Sequence, residues 1–363
     1  MLIYIHIPFC KNKCPYCDFY SVVQGTAPFK GRCPSGLIAT YVEELCLQIS
    51  STPSGLCGGR GDVSRWLKPP AIIVSPLRGQ SRDTDILSHA TMTPCHRDAG
   101  KFRATVTPRR RATVYLGGGT PSILSISQLE KIMRAIKDIL LCRDVILDRS
   151  RGQAYYVPTT IEAAIEVNPG TIDKDYFKQI HKLGFNRVSI GVQSLNNKDL
   201  KILGRIHSKK DAINAINWAR EAGFNNISID IMSALPEQSI KDYEKMLKEA
   251  VGFEPEHISA YALKIEQGTK FDLKYPELKD QDYQVDFIKK TVEILCANGY
   301  THYEISNYAK SDKYMSKHNL GYWQGKPYLG FGAGAHSYDG EKRWWNKCDI
   351  IDFSMEDFEV LTP

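Results

Sequence analysis

The stretch CKNKCPYC, residues 10–17, decides how the rest of this chain is interpreted. It follows a strand-like run, LIYIHI at residues 2–7, and it places Cys10, Cys14 and Cys17 at a C-x3-C-x2-C spacing. Three thiolates on one short loop can hold three irons of a [4Fe–4S] cluster and leave the fourth iron open. A structural zinc site normally needs a fourth protein ligand, and disulfide pairing would leave one cysteine over. The spacing favours an iron–sulfur cluster, with zinc or structural cysteines as the open alternatives.

The sequence around this loop resembles the radical S-adenosylmethionine (SAM) superfamily. An aromatic residue before the last cysteine belongs to that signature, and the strings YIHIPFC (4–10) and CPYCDF (14–19) are similar to one branch of it. The branch contains the oxygen-independent coproporphyrinogen III oxidases and the HemW-type haem chaperones. The resemblance covers roughly residues 1–50 and 113–345. It implies an α/β fold, the radical SAM partial (β/α)6 barrel, with a small C-terminal α+β region.

Composition sets limits on the class of protein. The 363 residues are 42% hydrophobic and 24% charged, which is ordinary for a globular protein with a large core. The apolar runs are far shorter than the roughly 18 residues of a transmembrane helix. The N-terminus lacks the pattern of a signal peptide, and ten cysteines in a chain of this length do not indicate a secreted disulfide scaffold. We therefore expect a cytoplasmic protein without a transmembrane segment.

The net charge of +6 does not predict a nucleic-acid partner. Residues 51–112 contain eleven Lys and Arg against four Asp, a surplus that accounts for the whole net charge. The rest of the chain is close to neutral, so it has no basic surface of the kind that binds a polyanion. We expect no nucleic acid among the partners.

Alternating strand and helix patterns predict parallel βαβ units. Six strands are expected, each followed by helix, and they end with the strand at residues 257–263. We predict a capping box formed by Ser127 and Glu130 before the second helix. The predicted barrel spans residues 1–265, and residues 266–363 form a C-terminal region, β-rich, folded across the barrel mouth.

Two features interrupt this regular pattern. Residues 51–111 scatter Pro, Gly, Arg and Ser without periodicity, which is unusual inside a compact domain. We interpret this segment as an irregular insertion, and residues 142–158 are also poorly patterned. The chain ends soon after Asp357, without the further helical part that the resemblance implies, so the C-terminal region is expected to be truncated.

Polar residues follow the predicted strands at their carboxyl ends, where parallel barrels place their sites. Consecutive glycines let the backbone approach a ligand closely and offer it free N–H groups. Carboxylates accept hydrogen bonds from the ammonium or hydroxyl groups of a ligand. Arginine can bind a ligand carboxylate through two hydrogen bonds. The resemblance makes these positions SAM contacts: Tyr4, Tyr16, Gly118, Gly119, Thr120, Glu166, Gln193, Arg205 and Asp230. One departure is Ala234, where the branch usually has glycine before Leu-Pro.

Two positions bear on the choice between the branches. The oxidases carry an additional cysteine two residues past the third cluster cysteine, where this chain has Phe19. The string HNLGYW at residues 318–323 fits the H-N-x-x-Y-W pattern associated with HemW-type chaperones, in which a histidine binds haem. Neutral imidazole is a good axial ligand for haem iron. The alternative is that His318 packs among Tyr314, Tyr322 and Trp323 and forms only local hydrogen bonds.

The resemblance implies a [4Fe–4S] protein that binds SAM and haem and delivers haem to respiratory haem proteins. An alternative is an oxygen-independent coproporphyrinogen III oxidase, which decarboxylates propionates of a porphyrinogen by radical chemistry. Whether the chain is an enzyme stays open, and no catalytic residue is assigned. The implied partners are haem or porphyrinogen, haem-accepting proteins and an electron donor of flavodoxin or ferredoxin type.

Overall fold

The computed structural model describes residues 1–23, 36–52, 111–141, 145–148, 153–156, 160–275 and 282–361. Its strands are β1 Leu2–Ile7, β2 Phe9–Cys10, β3 Val22–Val23, β4 Arg111–Gly118, β5 Val145–Asp148, β6 Gln153–Tyr156, β7 Thr160–Val167, β8 Arg187–Gln193, β9 Ile227–Ser233, β10 His257–Ala262, β11 Thr301–His302, β12 Asn307–Ala309, β13 Tyr328–Phe331, β14 His336–Tyr338, β15 Lys342–Asn346 and β16 Met355–Val360. Its helices are α1 Leu37–Ser50, α2 Ile126–Leu141, α3 Lys174–Lys182, α4 Asn197–Ile202, α5 Lys209–Glu221, α6 Ile240–Gly252, α7 Lys270–Lys274, α8 Asp282–Ala297 and α9 Lys317–Trp323.

The main sheet has the strand order β11-β12-β10-β9-β8-β7-β4-β1-β13-β14-β15-β16. Six neighbours in that order, from β10 to β1, are parallel to one another, and helices follow them in the chain. The predicted α/β class with six βα units is therefore confirmed. Because all six strands run in one direction, their carboxyl ends meet at one end of the sheet.

The apolar side chains of the strands lie on the face packed against the helices, and the polar side chains lie on the opposite, inner face. In β1 the side chains of Ile3, Ile5 and Ile7 are fully buried in the main core, together with residues of α1 and α2. Tyr4 and His6, at the alternate positions, lie on the opposite face, as the period of two in a strand requires. The inner face of the barrel is thus supplied by the polar half of each strand.

Side chains cap the amino ends of helices α2 and α6. At the start of α2 the capping box is formed by Ser125 and Gln128: Gln128 N donates to Ser125 Oγ at 3.3 Å, and Ser125 N donates to Gln128 Oε1 at 2.9 Å. The predicted box of Ser127 and Glu130 is wrong, because the helix begins at Ile126 and Ser127 is already inside its first turn. At the start of α6, Ser239 Oγ accepts from Asp242 N and caps the helix.

We predicted that the C-terminal region is folded across the barrel mouth. The structure places its strands elsewhere. Its strands extend the sheet at both edges: β13 pairs in parallel with β1, and β12 pairs antiparallel with β10. The segment around α9 contacts the beginnings of the barrel strands, since Arg187, the first residue of β8, donates to the carbonyl oxygen of Tyr314 at 2.8 Å. The segment around α9 therefore lies at the amino end of the barrel, whereas α7, at the start of the region, packs against the cysteine loop at the carboxyl end. The boundary at residue 265 stays a prediction.

Other predicted segments can be placed only in part. Residues 53–110 of the predicted insertion lie outside the described residues. Within the poorly patterned stretch 142–158, β5 and β6 pair as an antiparallel two-stranded sheet. Within the described ranges, no helix has both the length and the apolar content needed to cross a membrane.

Candidate functional site

The barrel encloses a cavity of about 550 Å³ lined by side chains from both ends of the strands. The interior of a closed parallel barrel is usually filled by branched apolar residues. Here tyrosine, serine and carboxylate side chains of the inner face line an open space instead, among them Tyr115, Glu166, Ser189 and Asp230. A concave cavity of this size with convergent polar groups is typical of a small-molecule site.

Cys10, Cys14 and Cys17 lie together at the carboxyl end of this cavity. All three are free thiols and partly exposed, and Thr120 Oγ1 lies 3.4 Å from Cys10 Sγ. Burial raises the pKa of Cys10 and of Cys17, so both keep their protons until a metal replaces them. In the part of the chain that the structure describes, no three His, Cys, Asp or Glu side chains are already gathered as ligands for one metal ion. Three unpaired thiols around one opening fit a cluster, whose thiolates bind separate irons.

The glycine turn after β4 is packed so closely that side chains are excluded. A Cβ atom on Gly118 would lie 2.6 Å from the ring of His6, and Gly118 has a φ of +108°. A Cβ atom on Gly119 would lie 2.8 Å from the carbonyl oxygens of Ile7 and Phe9. The turn therefore brings bare backbone against the thiol-bearing loop, which is the close approach that a bound ligand needs.

Two carboxylates face each other inside the cavity. Glu166 accepts from Tyr115 Oη at 2.8 Å and from Gly118 N at 3.2 Å, and Asp230 accepts from Ser189 Oγ at 2.9 Å. Burial, followed by the charge of Asp230, raises the pKa of Glu166 to about 7. Burial raises the pKa of Asp230 to about 6. A cation bound here would be favoured, because it removes the cost of burying two like charges.

Arg205 and Gln193 hold the side of the cavity next to the thiols. One Arg205 nitrogen, Nη1, is 3.6 Å from Cys14 Sγ, and Nη2 donates to the carbonyl oxygen of Gly191 at 3.2 Å. Its Nε is buried and has no hydrogen-bond partner among the described residues, so the guanidinium keeps a donor for a bound ligand. Gln193 adopts φ +63° where the pairing of β8 with β9 shifts register. Such a conformation costs about 1 kcal/mol or more in a residue with a side chain and is typical of functional sites.

The remaining predicted residues have definite positions. Tyr16 lies on the cysteine loop, with its ring centroid 6.0 Å from that of Phe271. Tyr4 donates towards His6 Nδ1 across 3.0 Å on the inner face of β1. Ala234 adopts φ +55° and is buried. That left-handed conformation explains why glycine suits this turn, and the methyl group of Ala234 is accommodated under strain.

His318 lies far from the thiols, at the amino end of the barrel. It is 3% exposed, its Nδ1 is 2.7 Å from Thr113 Oγ1, and its Nε2 is 2.9 Å from Tyr322 Oη. Burial lowers its pKa to about 3, so the imidazole is neutral. Glu162 Oε1 accepts from the backbone N–H groups of Lys317 and His318 and thereby fixes the start of α9. The cavity thus has a thiol end and a histidine end.

Tyr115 and His6 are site residues that the sequence reasoning missed. Tyr115 bonds Glu166 and stacks against His318, with ring centroids 5.3 Å apart. His6 supports both Tyr4 and the packing of Gly118. The signal that could have found them is the strand period: Tyr115 shares a face of β4 with Gly117, and His6 shares a face of β1 with Tyr4.

Comparison with known proteins gives consistent relatives. The Radical SAM superfamily profile matches residues 101–250. The haem chaperone HemW of Haemophilus influenzae is 30% identical over 334 residues, which is 92% of this chain and 69% of the relative. HemW of Escherichia coli is 32% identical over 335 residues, with the same coverage of 92% and 69%. Among solved structures, coproporphyrinogen III oxidase (HemN) from Escherichia coli has a TM-score of 0.67 at 19% identity, covering 99% of this chain and 72% of that one.

Proposed function

This chain belongs to the HemW family of radical SAM proteins, and from that premise we propose that it is a haem chaperone. It would bind a [4Fe–4S] cluster, SAM and haem, and deliver the haem to haem proteins. The resemblance of the cysteine loop and its flanks to this branch is confirmed by the relatives. The observation that supports the function most directly is the cavity itself, which has thiols at one end and a neutral histidine at the other.

At the thiol end, Cys10, Cys14 and Cys17 would hold the cluster. When bound, the cluster supplies one-electron reduction of SAM, which yields methionine and a 5′-deoxyadenosyl radical. The chain's own residues would orient SAM: the charged end of the methionine against Glu166 and Arg205, and the remaining polar groups against Asp230, Gln193 and the glycine turn. Tyr4, Tyr16 and Thr120 would complete the wall of this site.

At the histidine end, His318 would bind haem iron through Nε2. Neutral imidazole is the form that ligates a metal, and burial keeps this histidine neutral. Tyr322 is 38% exposed and holds Nε2 through its hydroxyl. Haem binding therefore requires the Tyr322 hydroxyl to move aside, and haem would approach from the amino end of the barrel, opposite the cluster.

The partners are part of the same proposal. We propose haem-accepting respiratory proteins as recipients and a flavodoxin- or ferredoxin-type donor for the cluster, in the cytoplasm. Phe19, where the oxidases have a further cysteine, is exposed at the thiol end. The alternative function is coproporphyrinogen III oxidase activity, and the following experiment distinguishes it from haem binding.

The test uses anaerobic protein reconstituted with iron and sulfide. One sample receives SAM, dithionite and coproporphyrinogen III, and another receives haem. We expect no decarboxylated porphyrinogen, and a haem absorption band that is lost in His318→Ala. His336→Ala is the matched control, because His336 is an exposed histidine of the same region, and it should keep the band. Decarboxylation over multiple turnovers would make the chain an oxidase and overturn the proposal.

A further inference from the structure

A row of aromatic rings runs from the middle of the barrel, where Tyr4 lies beside Tyr115, to the surface at the amino end. The ring centroids of Tyr4 and Tyr115 are 6.3 Å apart, those of Tyr115 and His318 are 5.3 Å apart, and those of His318 and Tyr322 are 4.9 Å apart. The first two tyrosines line the cavity, whereas Tyr322 is 38% exposed. The row therefore joins the cavity to solvent through consecutive ring contacts.

Tyr4 has a base in hydrogen-bond contact with its hydroxyl. Its Oη is 3.0 Å from His6 Nδ1, while His6 Nε2 is 3.1 Å from the carbonyl oxygen of Tyr20. A carbonyl oxygen only accepts, so Nε2 carries the ring hydrogen and Nδ1 accepts from Tyr4. Burial lowers the pKa of His6, so the imidazole is neutral and its Nδ1 accepts this hydrogen bond.

The other two tyrosines are placed in the same way. Tyr115 donates to Glu166 Oε1 at 2.8 Å, and Tyr322 Oη is 2.9 Å from His318 Nε2. Each of the three hydroxyls in the row thus meets an imidazole or a carboxylate. A proton acceptor must lie within this reach of the proton that it takes.

Most other hydrogen-bonded tyrosines of the described chain meet neutral partners, whereas Tyr303, outside the row, meets His257 Nε2 at 2.8 Å. Tyr41 donates to the carbonyl oxygen of His6, Tyr176 to that of Leu124 and Tyr300 to that of Pro255. A carbonyl satisfies the hydroxyl but takes no proton at neutral pH. Because an oxidised phenol is a strong acid, a tyrosine loses an electron readily only where its proton has an acceptor. The tyrosines of the row have the required partners.

We propose that Tyr4, Tyr115 and Tyr322 form a relay that carries a one-electron oxidising equivalent from the SAM site to the surface at the amino end. The relay would dispose of a SAM-derived radical that finds no substrate. This inference rests on the SAM and cluster part of the proposed function and applies to the haem-free protein, because bound haem would occupy His318 Nε2.

The chemistry balances in three steps. The 5′-deoxyadenosyl radical takes the phenolic hydrogen atom of Tyr4, so that a C–H bond forms at C5′, the O–H bond breaks, and a neutral phenoxyl radical remains. Tyr115 then gives an electron to Tyr4 and its proton to Glu166, while Tyr4 regains a proton from water in the cavity. Tyr322 passes an electron to Tyr115 with its proton going to His318, and Glu166 returns the proton to Tyr115. A one-electron reductant outside, such as a thiol or ascorbate, gives an electron to Tyr322, and His318 returns the proton to it. The proton that the oxidised reductant releases neutralises the hydroxide left when Tyr4 took its proton from water.

The test uses the full chain with its cluster, SAM and dithionite in D₂O, without haem. Two quantities are measured: the deuterium content of 5′-deoxyadenosine at C5′, and the electron paramagnetic resonance signal of phenoxyl radical in freeze-quenched samples. A phenolic hydrogen exchanges with solvent, so the wild-type product should carry one deuterium. In Tyr322→Phe the phenoxyl signal should persist at least tenfold longer than in wild type.

Two further variants keep the outcome interpretable. Tyr4→Phe should lower the deuterium content and remove the phenoxyl signal, whereas Tyr176→Phe, whose hydroxyl meets a carbonyl, should match wild type. Two results would overturn the relay. One is a deuterium content in Tyr4→Phe equal to that of wild type. The other is phenoxyl decay at the wild-type rate in both Tyr322→Phe and Tyr115→Phe. If wild type forms no 5′-deoxyadenosine at all, the SAM and cluster part of the proposed function has failed, and the relay fails with it.

Discussion

Glu166 and Asp230 are two acids that share one buried cavity, and this arrangement couples ligand binding to protons. Burial raises the pKa of both groups, and the charge of Asp230 raises that of Glu166 further. Near pH 7 the cavity without ligand therefore holds less negative charge than two carboxylates would carry. A cation that binds to Glu166 has to displace a proton from it whenever the pH lies below about 7.

We predict that SAM binds about tenfold more weakly at pH 6 than at pH 8. The pKa of Glu166 is raised to about 7 in the free protein, and the positive charge of SAM favours the ionised carboxylate, so affinity falls as the pH falls below that value. Calorimetric titration of the cluster-loaded protein in buffers of different ionisation enthalpy measures both affinity and proton release. Glu166→Gln should bind more weakly and without this pH dependence. Equal affinity of wild type at both pH values would contradict the role of Glu166.

Ala234→Gly should stabilise the protein. The left-handed backbone at φ +55° costs a residue with a Cβ atom about 1 kcal/mol or more, and this exceeds the gain from restricting the unfolded chain. We expect the free energy of unfolding to rise by up to about 1 kcal/mol in urea titrations. The same change at Ala215, inside α5, should lower it. A loss of stability in Ala234→Gly would show that the methyl group contributes packing that outweighs the strain.

Tyr322→Phe should bind haem more tightly than wild type. The substitution removes the hydroxyl that occupies His318 Nε2, and releasing such a hydrogen bond is worth about 1 kcal/mol, or roughly fivefold in affinity. Haem titration followed by absorption measures the change. His318→Ala should move affinity in the opposite direction. Weaker binding by Tyr322→Phe would mean that the hydroxyl itself holds haem.

Single residues were predictable where a motif and a strand end coincide. The thiols, the glycine turn, Glu166 and Asp230 all lie around one cavity, because parallel strands deliver their ends to one place. Tyr115 was not predicted, since it lies in mid-strand and its role depends on which neighbours the sheet brings beside it. The position of His318 at the opposite end was also unpredictable, because it depends on pairings more than 150 residues apart in the chain.

At the scale of elements, the first residue of helix α2 depends on which of two nearby serines forms the N-terminal cap. Ser125 and Ser127 both lie near the start of this helix, and the sequence offers each of them a partner for a capping box. The structure uses Ser125, whose partner Gln128 completes both hydrogen bonds. The sequence pattern predicted the helix, but periodicity cannot distinguish helix starts that differ by only two residues.

Ser125→Ala should therefore cost more stability than Ser127→Ala. Loss of an N-cap side chain lowers the free energy of unfolding by about 1 kcal/mol, whereas Ser127 contributes only an exposed hydroxyl contact with Ser125. Parallel urea titrations of the two variants give the comparison directly. The reverse order would restore the box of Ser127 and Glu130.

At the scale of the whole molecule, the sheet is completed by strands from the far end of the chain. Strand β1 has β4 on one side and β13 on the other, and Tyr4 is paired with Gly330. The βα alternation predicted the six inner strands, because each pairs with a neighbour that lies close in the pattern. The edge strands were not predicted, since short strands after residue 300 give no signal of which edge they join.

Gly330→Ala should be strongly destabilising. A Cβ atom on Gly330 would overlap the carbonyl oxygen of His336, which is backbone and cannot rotate away. Overpacking of this kind costs about 1–3 kcal/mol, and here it acts on the strand that supports β1. Gly252→Ala is the matched control, because its Cβ would meet nothing within 4 Å, and it should be neutral or stabilising. Thermal melts of both variants test the contrast, and equal melting temperatures would contradict it.

The pairing of β1 with β13 also sets an order of events during synthesis. The cysteine loop leaves the ribosome long before residues 328–331, so the strand that carries it gains its second partner only after those residues have emerged. Pairing over such a separation is slow, because the loop entropy is lost before the contacts form. Until then the nascent protein exposes its three thiols beside an incomplete sheet. A cluster loaded at that stage reaches an open loop, whereas a cluster loaded later has to enter a finished barrel.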